Sequence, residues 1–156
     1  MQFGDRILVT DPCYQRDTWC TEILKCVPGS WLGEIKHEIN EGRVAEIMVW
    51  NIKHNYLIGK WRKVTDKIGV DSGQCGFFNL EKYPTDPKEF EYFDNTFYGI
   101  ISNNTLANRI SVHNDWYCSD SGYGDGCYPL YVKETSEGLV YAAKLQFIFD
   151  EEEEDI

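Results

Sequence analysis

The stretch Leu139-Val140-Tyr141-Ala142-Ala143-Lys144-Leu145-Gln146-Phe147-Ile148-Phe149 decides the fold class. Leu139, Tyr141, Ala143, Leu145, Phe147 and Phe149 take every second position, and Val140, Ala142, Lys144 and Gln146 lie between them. Period two is the mark of a strand, whose successive side chains point to opposite faces. Ser136-Glu137-Gly138 is turn chemistry, and Cys127 to Lys133 reads as the strand before it, so the two predict an antiparallel hairpin.

The same pattern recurs upstream. Trp31, Gly33, Ile35, His37 and Ile39 alternate with Leu32, Glu34, Lys36 and Glu38. Asn40-Glu41-Gly42 then makes a hairpin loop into a second strand, Arg43 to Ile52, where Ala45, Ile47 and Val49 share a face. Further strands are predicted at Asp5 to Thr10, Tyr56 to Val64, Lys67 to Asp71 and Arg109 to Tyr117. Two short helices complete the reading. One is capped by Asp17 or Thr18 and carries Trp19, Cys20, Ile23, Leu24 and Val27 at helical spacing up to Pro28-Gly29. The other starts at Asp86-Pro87-Lys88-Glu89, where Asp caps and Pro fits the first helical position, and runs with Phe90, Phe93 and Phe97 to about Tyr98. The sum is a mainly β (α+β) fold, an antiparallel β-sandwich or open barrel. One β-rich domain is expected over 1–149, with a disordered acidic tail over 150–156.

Composition bounds the rest. The chain of 156 residues is 42% hydrophobic and 15% aromatic, which suits a folded domain with one sizeable core. The net charge of -11 owes six charges to the run Asp150-Glu151-Glu152-Glu153-Glu154-Asp155, leaving 20 acids against 15 bases. No basic patch stands out, which argues against a nucleic-acid partner. No apolar run approaches a bilayer span, so no membrane association is expected. The first residues, Met1 to Arg6, show no signal-like apolar stretch. The six cysteines, Cys13, Cys20, Cys26, Cys75, Cys118 and Cys127, sit among apolar or Gly-rich neighbours, and free thiols in the cytoplasm are expected.

Three segments could carry chemistry. They are Thr10-Asp11-Pro12-Cys13-Tyr14, Gly69-Val70-Asp71-Ser72-Gly73-Gln74-Cys75-Gly76-Phe77-Phe78, and Ser119-Asp120-Ser121-Gly122-Tyr123-Gly124-Asp125-Gly126-Cys127-Tyr128. Each places Asp at a strand end beside small residues and aromatics. Gly lets a backbone approach a ligand, and Asp supplies carboxylate for a cation or hydroxyl. Asp71 and Asp120 each precede Ser-Gly, so one local turn is expected twice. Each loop also reads as an ordinary turn, Asp125-Gly126 as a hairpin and Asp-Ser-Gly as an Asx turn. Calcium-hand, zinc, phosphate-loop and nucleophile-elbow spacings are all missing.

These three segments, in order and in spacing, resemble a family of small uncharacterised proteins from bacteria and their phages. The resemblance covers most of the chain outside the acidic tail. It brings no catalytic residues with it. It implies that the three Asp-bearing loops belong together, and it points toward a phage accessory protein.

The expectation is a small intracellular binding module that engages a host protein or sequesters a small ligand. Its loops would converge at one rim, with ligand contacts from Asp11, Tyr14, Asp71, Ser72, Gly73, Asp120, Ser121, Gly122, Tyr123, Asp125 and Tyr128. The alternative is a metal-dependent hydrolase in which Asp71, Asp120 and Asp125 hold a divalent metal and His113 moves a proton. No other cofactor is expected.

Overall fold

The computed structural model describes residues 1–149, so the expected tail at 150–156 lies outside the described residues. Eleven strands form two sheets among these residues. They are β1 (Gln2–Phe3), β2 (Arg6–Thr10), β3 (Glu22–Lys25), β4 (Gly29–His37), β5 (Val44–Asn51), β6 (Arg62–Val70), β7 (Gln74–Asn79), β8 (Ile110–His113), β9 (Trp116–Asp120), β10 (Gly126–Glu134) and β11 (Val140–Gln146). One sheet has the order β1-β4-β5-β11-β10-β6 and the other β3-β2-β7-β9-β8. Every paired strand is antiparallel, and neither sheet closes into a barrel. The fold is therefore the mainly β sandwich that the alternation predicts. No described helix is long and apolar enough to cross a membrane.

The alternation along each strand sorts the core. Ile7, Val9, Cys75, Phe77 and Tyr117 of the five-stranded sheet face Ile47, Val49, Leu130, Val132, Ala143 and Leu145 of the six-stranded sheet. Gly33 of β4 is part of this interlock. A Cβ there would lie 2.3 Å from the Tyr117 ring, so only glycine admits that ring between the sheets. The intervening residues Leu8, Phe78 and Cys118 turn outward and are covered by a second cluster with Leu80, Tyr83, Phe97 and Ile101. That cluster seats one α-helix, α1 (Phe97–Asn108), on the outer face of the five-stranded sheet.

Several elements differ from the sequence reading, each for a physical reason. The helix expected over Thr18 to Val27 is instead β3, paired with β2 through Arg6↔Lys25 to Val9↔Glu22. Asp17 has φ 73, outside the extended conformation a helix cap takes, and the buried residues Cys20, Leu24 and Cys26 all fall on one parity, as a period of two requires. Trp19, expected on the buried stripe, is 83% exposed.

The second expected helix shrinks to a 3-10 turn, Pro87–Phe90, with the Asp86 side chain accepting from the Lys88 N–H as its cap. The α-helix begins later, at Thr96, whose hydroxyl accepts from Gly99 N. Tyr56 to Val64 and Lys67 to Asp71 are not two strands: one strand, β6, follows a loop over 52–61. Arg109 to Tyr117 contains a hairpin, β8 and β9, with Ile110↔Ser119 at its open end and His113↔Trp116 beside its turn. β7 was not expected at all. All six of its residues are buried, so it shows no alternation.

Candidate functional site

Two segments cross from one sheet to the other side by side. β6 of the six-stranded sheet passes through Asp71-Ser72-Gly73 into β7 of the five-stranded sheet. β9 of the five-stranded sheet returns through Ser121 to Asp125 into β10, the partner of β6. The strands on both sides of the crossings are paired, Gln74↔Asp120 in one sheet and Gly126↔Val70 in the other. The repeated Asp-Ser-Gly therefore has a structural cause. Both crossings need a sharp turn at the same level, and Gly73 (φ 72) and Gly122 (φ 69) both adopt the left-handed conformation. The crossings are tied directly, Ser121 N donating to Gly73 O at 3.0 Å.

The third loop is locked onto this pair by Asp11, which is fully buried. Its Oδ2 accepts from the backbone N–H of Asp71 at 2.8 Å and of Ser72 at 2.7 Å. Its Oδ1 accepts from Cys13 N at 2.8 Å and from the Ser72 hydroxyl at 2.6 Å. The Tyr14 hydroxyl donates to the Asp71 carboxylate, and the Tyr83 hydroxyl donates to Tyr14 O. Burial pushes the Tyr14 and Tyr83 phenols well up, with Asp71 and Asp11 respectively adding to the shift. Burial and the Asp11 carboxylate likewise push the Cys13 thiol up, which favours its protonated form. The three loops thus meet at one end of the sandwich.

They meet with distinct roles. Asp11, Tyr14 and Asp71 bond to one another and act as a latch. Ser121 and Tyr128 are also spent, both donating to Gly124 O, at 2.8 and 2.6 Å. Tyr123 is exposed and lies under the Arg43 guanidinium, 4.7 Å from its ring centroid. Asp125 is exposed and accepts no hydrogen bond from a described residue. His113 stands beside the β8–β9 turn, at the opposite end of that hairpin from Asp120. Its ring stacks on Trp116 at 4.1 Å and accepts from Asp115 N at 3.3 Å. The structure does not bring it to the three loops. Among the described residues, no group of three His, Cys, Asp or Glu side chains is placed to hold a metal ion.

Asp120 and Ser72 open onto a cavity of about 250 Å³ between these crossings and α1. The cavity is also lined by Gln74, Tyr92, Tyr98, Ser102, Thr105 and Leu106. Its floor is a closed network: Gln74 Nε2 donates to the Ser102 hydroxyl at 2.9 Å, and the Thr105 hydroxyl donates to Gln74 Oε1 at 2.6 Å. Ser102 and Thr105 lie three apart on α1 and so face the sheet together. Burial raises the Asp120 carboxyl above its ordinary value, and the charges of Arg109 and Arg43 partly offset this.

Sequence reasoning found Ser72 and Asp120 but not Gln74, Tyr92, Tyr98, Ser102, Thr105 or Leu106. The one available signal was a polar pair at helical spacing, Ser102 and Thr105, inside a helix the apolar pattern does not show. Compared with protein-family models, curated proteins and solved structures, the chain finds no match.

Proposed function

We propose that the chain is a binding module that holds a small polar ligand in the cavity between α1 and the paired sheet crossings. One observation carries the reading. Two of the three Asp-bearing loops contribute side chains to a single recess, and the third, through Asp11, holds Ser72 in its wall. A rigid sheet edge presenting loop residues to a concave polar space is the usual setting of a ligand site. The volume, about 250 Å³, suits a molecule of metabolite size. The latch residues lend rigidity, which lowers the ordering cost of binding.

Protein-observed NMR with a library of small polar fragments tests this. Chemical-shift changes should gather on the amides of Gln74, Ser102, Thr105 and Asp120. Hits that gather on another surface, with none at these amides, would overturn the proposal. Native mass spectrometry of the full chain purified from cells offers a second readout, a retained small molecule lost on substituting Ser102→Trp to fill the cavity.

A further inference from the structure

Most of the cavity's side-chain donors are turned on one another or on the frame; the Tyr98 and Ser102 hydroxyls donate to no described residue. Gln74 donates to Ser102, Thr105 to Gln74, Ser72 to Asp11, and Tyr92 to Asn103 Oδ1 at 3.0 Å. The acceptors are not matched in the same way. No described residue donates to either carboxylate oxygen of Asp120, although burial has already removed part of its water.

The two cations nearest in effect are engaged elsewhere. Arg109 Nη1 donates to Gly42 O, while Arg43 pairs with Glu41 at 2.8 Å and donates to Gly122 O. The same cavity is lined by the rings of Tyr92 and Tyr98, edge to face with centroids 6.0 Å apart. Tyr92 is 57% exposed and Tyr98 half-buried, and both line the cavity. An unmatched carboxylate that shares a cavity with two aromatic rings complements a positive charge that also carries N–H donors.

We infer that the ligand of this cavity is a small organic cation, an amine or guanidine, held by Asp120 against the rings of Tyr92 and Tyr98. The inference rests on the cavity being the ligand site. The size agrees: about 250 Å³ is room for roughly eight waters, and hence for a short alkyl or heterocyclic amine. The fields of Arg109 and Arg43 oppose a second positive charge, so a monocation fits better than a diamine. A divalent metal fits less well, because it needs six or more oxygen ligands and only one carboxylate lines the cavity.

NMR titration of the full chain with n-butylammonium, n-butanol, butyrate and magnesium chloride tests the inference. Butylammonium should shift the amides of Gln74, Ser102 and Asp120 saturably, and the other three should not. Asp120→Asn should weaken that binding about ten-fold or more, the scale of a lost charged hydrogen bond. It should not lower the melting temperature, because no described residue donates to the Asp120 carboxylate and burial on balance disfavours its charge. Tyr98→Leu should weaken binding about two- to five-fold through loss of the ring face. Butanol or butyrate acting as strongly as butylammonium, or Asp120→Asn binding it undiminished, would reject the cation while leaving the cavity as a site. Magnesium shifting these amides where butylammonium does not would reject it in favour of a metal. Silence of all four probes at these amides would reject the cation class and count against the site itself.

Discussion

Substituting Asp11→Ala should unlock the three loops at once. The carboxylate accepts four hydrogen bonds, from Cys13 N, Asp71 N, Ser72 N and the Ser72 hydroxyl, and it is fully buried. Each hydrogen bond to a charged group contributes about 1.5–3 kcal/mol, and a donor left unsatisfied in the interior costs a similar amount. The stranded donors lie on partly exposed loops, so water re-enters and recovers some of this. The alanine also relieves the cost of holding a charge out of water. The net loss should be about 3–5 kcal/mol, a large share of the stability of a typical domain. In urea, with a slope of about 2 kcal/mol/M, the midpoint should fall by about 2 M. The melting temperature should fall by about 10 °C or more.

Tryptophan fluorescence reports the transition. Ser72→Ala, which removes one of the four donors, should cost about 1 kcal/mol, and the double variant should lose less than the sum of the two. If Asp11→Ala stayed within about 1 kcal/mol of the parent chain, the latch would be no latch and the reasoning would fail.

The remaining predictions concern the core, the thiols and alkaline pH. Gly33→Ala would drive a Cβ to 2.3 Å from the Tyr117 ring and should cost about 1–3 kcal/mol by overpacking, read as a lower urea midpoint; an unchanged midpoint would mean the two sheets are not interlocked there. All six cysteines are free, so thiol titration of the unfolded chain should count six; in the native protein the exposed Cys127 should react first, and the buried Cys75 and Cys118, whose thiols burial pushes well up, should react last.

Burial, reinforced by Asp5, raises the Cys26 thiol from 9.0 to about 12. Burial, reinforced by Glu34, raises the Tyr117 phenol from 10.0 to about 12. Both groups ionise first in the unfolded chain, so this part of the stability is whole below about pH 9 and is lost as pH rises toward 12. Urea midpoints measured from pH 8 to pH 11 should decline, and a flat profile would contradict the burial of these two side chains.

Elements whose pattern is set within a few residues are legible in the sequence. β4, β5 and the second half of β11 alternate because one face of each meets the core, and alternation needs no knowledge of the partner strand; β10 and the start of β11 are covered on both faces for part of their length. The glycine turns at Gly73 and Gly122 and the Asp86 cap are equally local, since Gly and Pro act through their own backbone, but the Asx bonds expected of Asp71 and Asp120 do not form: Asp71 accepts from Tyr14, and no described residue donates to the Asp120 carboxylate. Local reading failed where both faces of an element are covered or where the covered face is polar. β7 is buried throughout and shows no period. The covered face of α1 carries Gly99, Ser102 and Thr105 beside Phe97 and Ile101, so its apolar spacing is faint. The helical spacing from Trp19 to Val27 was coincidental. Pairing with β2 overrode it, because four residues joined to a buried strand gain more than a short helix with an exposed Trp19.

The same division runs through the site. By itself, the sequence determined that Asp11, Asp71, Ser72 and Asp120 sit at or just beyond strand ends. Only the tertiary structure decided that Asp11 is spent as a latch, that His113 stands apart, and that Asp120 remains unmatched beside Gln74, Tyr98 and Ser102. Turn chemistry is settled within a few residues. Which donors reach a carboxylate is settled by chain segments some 60 residues away, brought there by burial of the sandwich core.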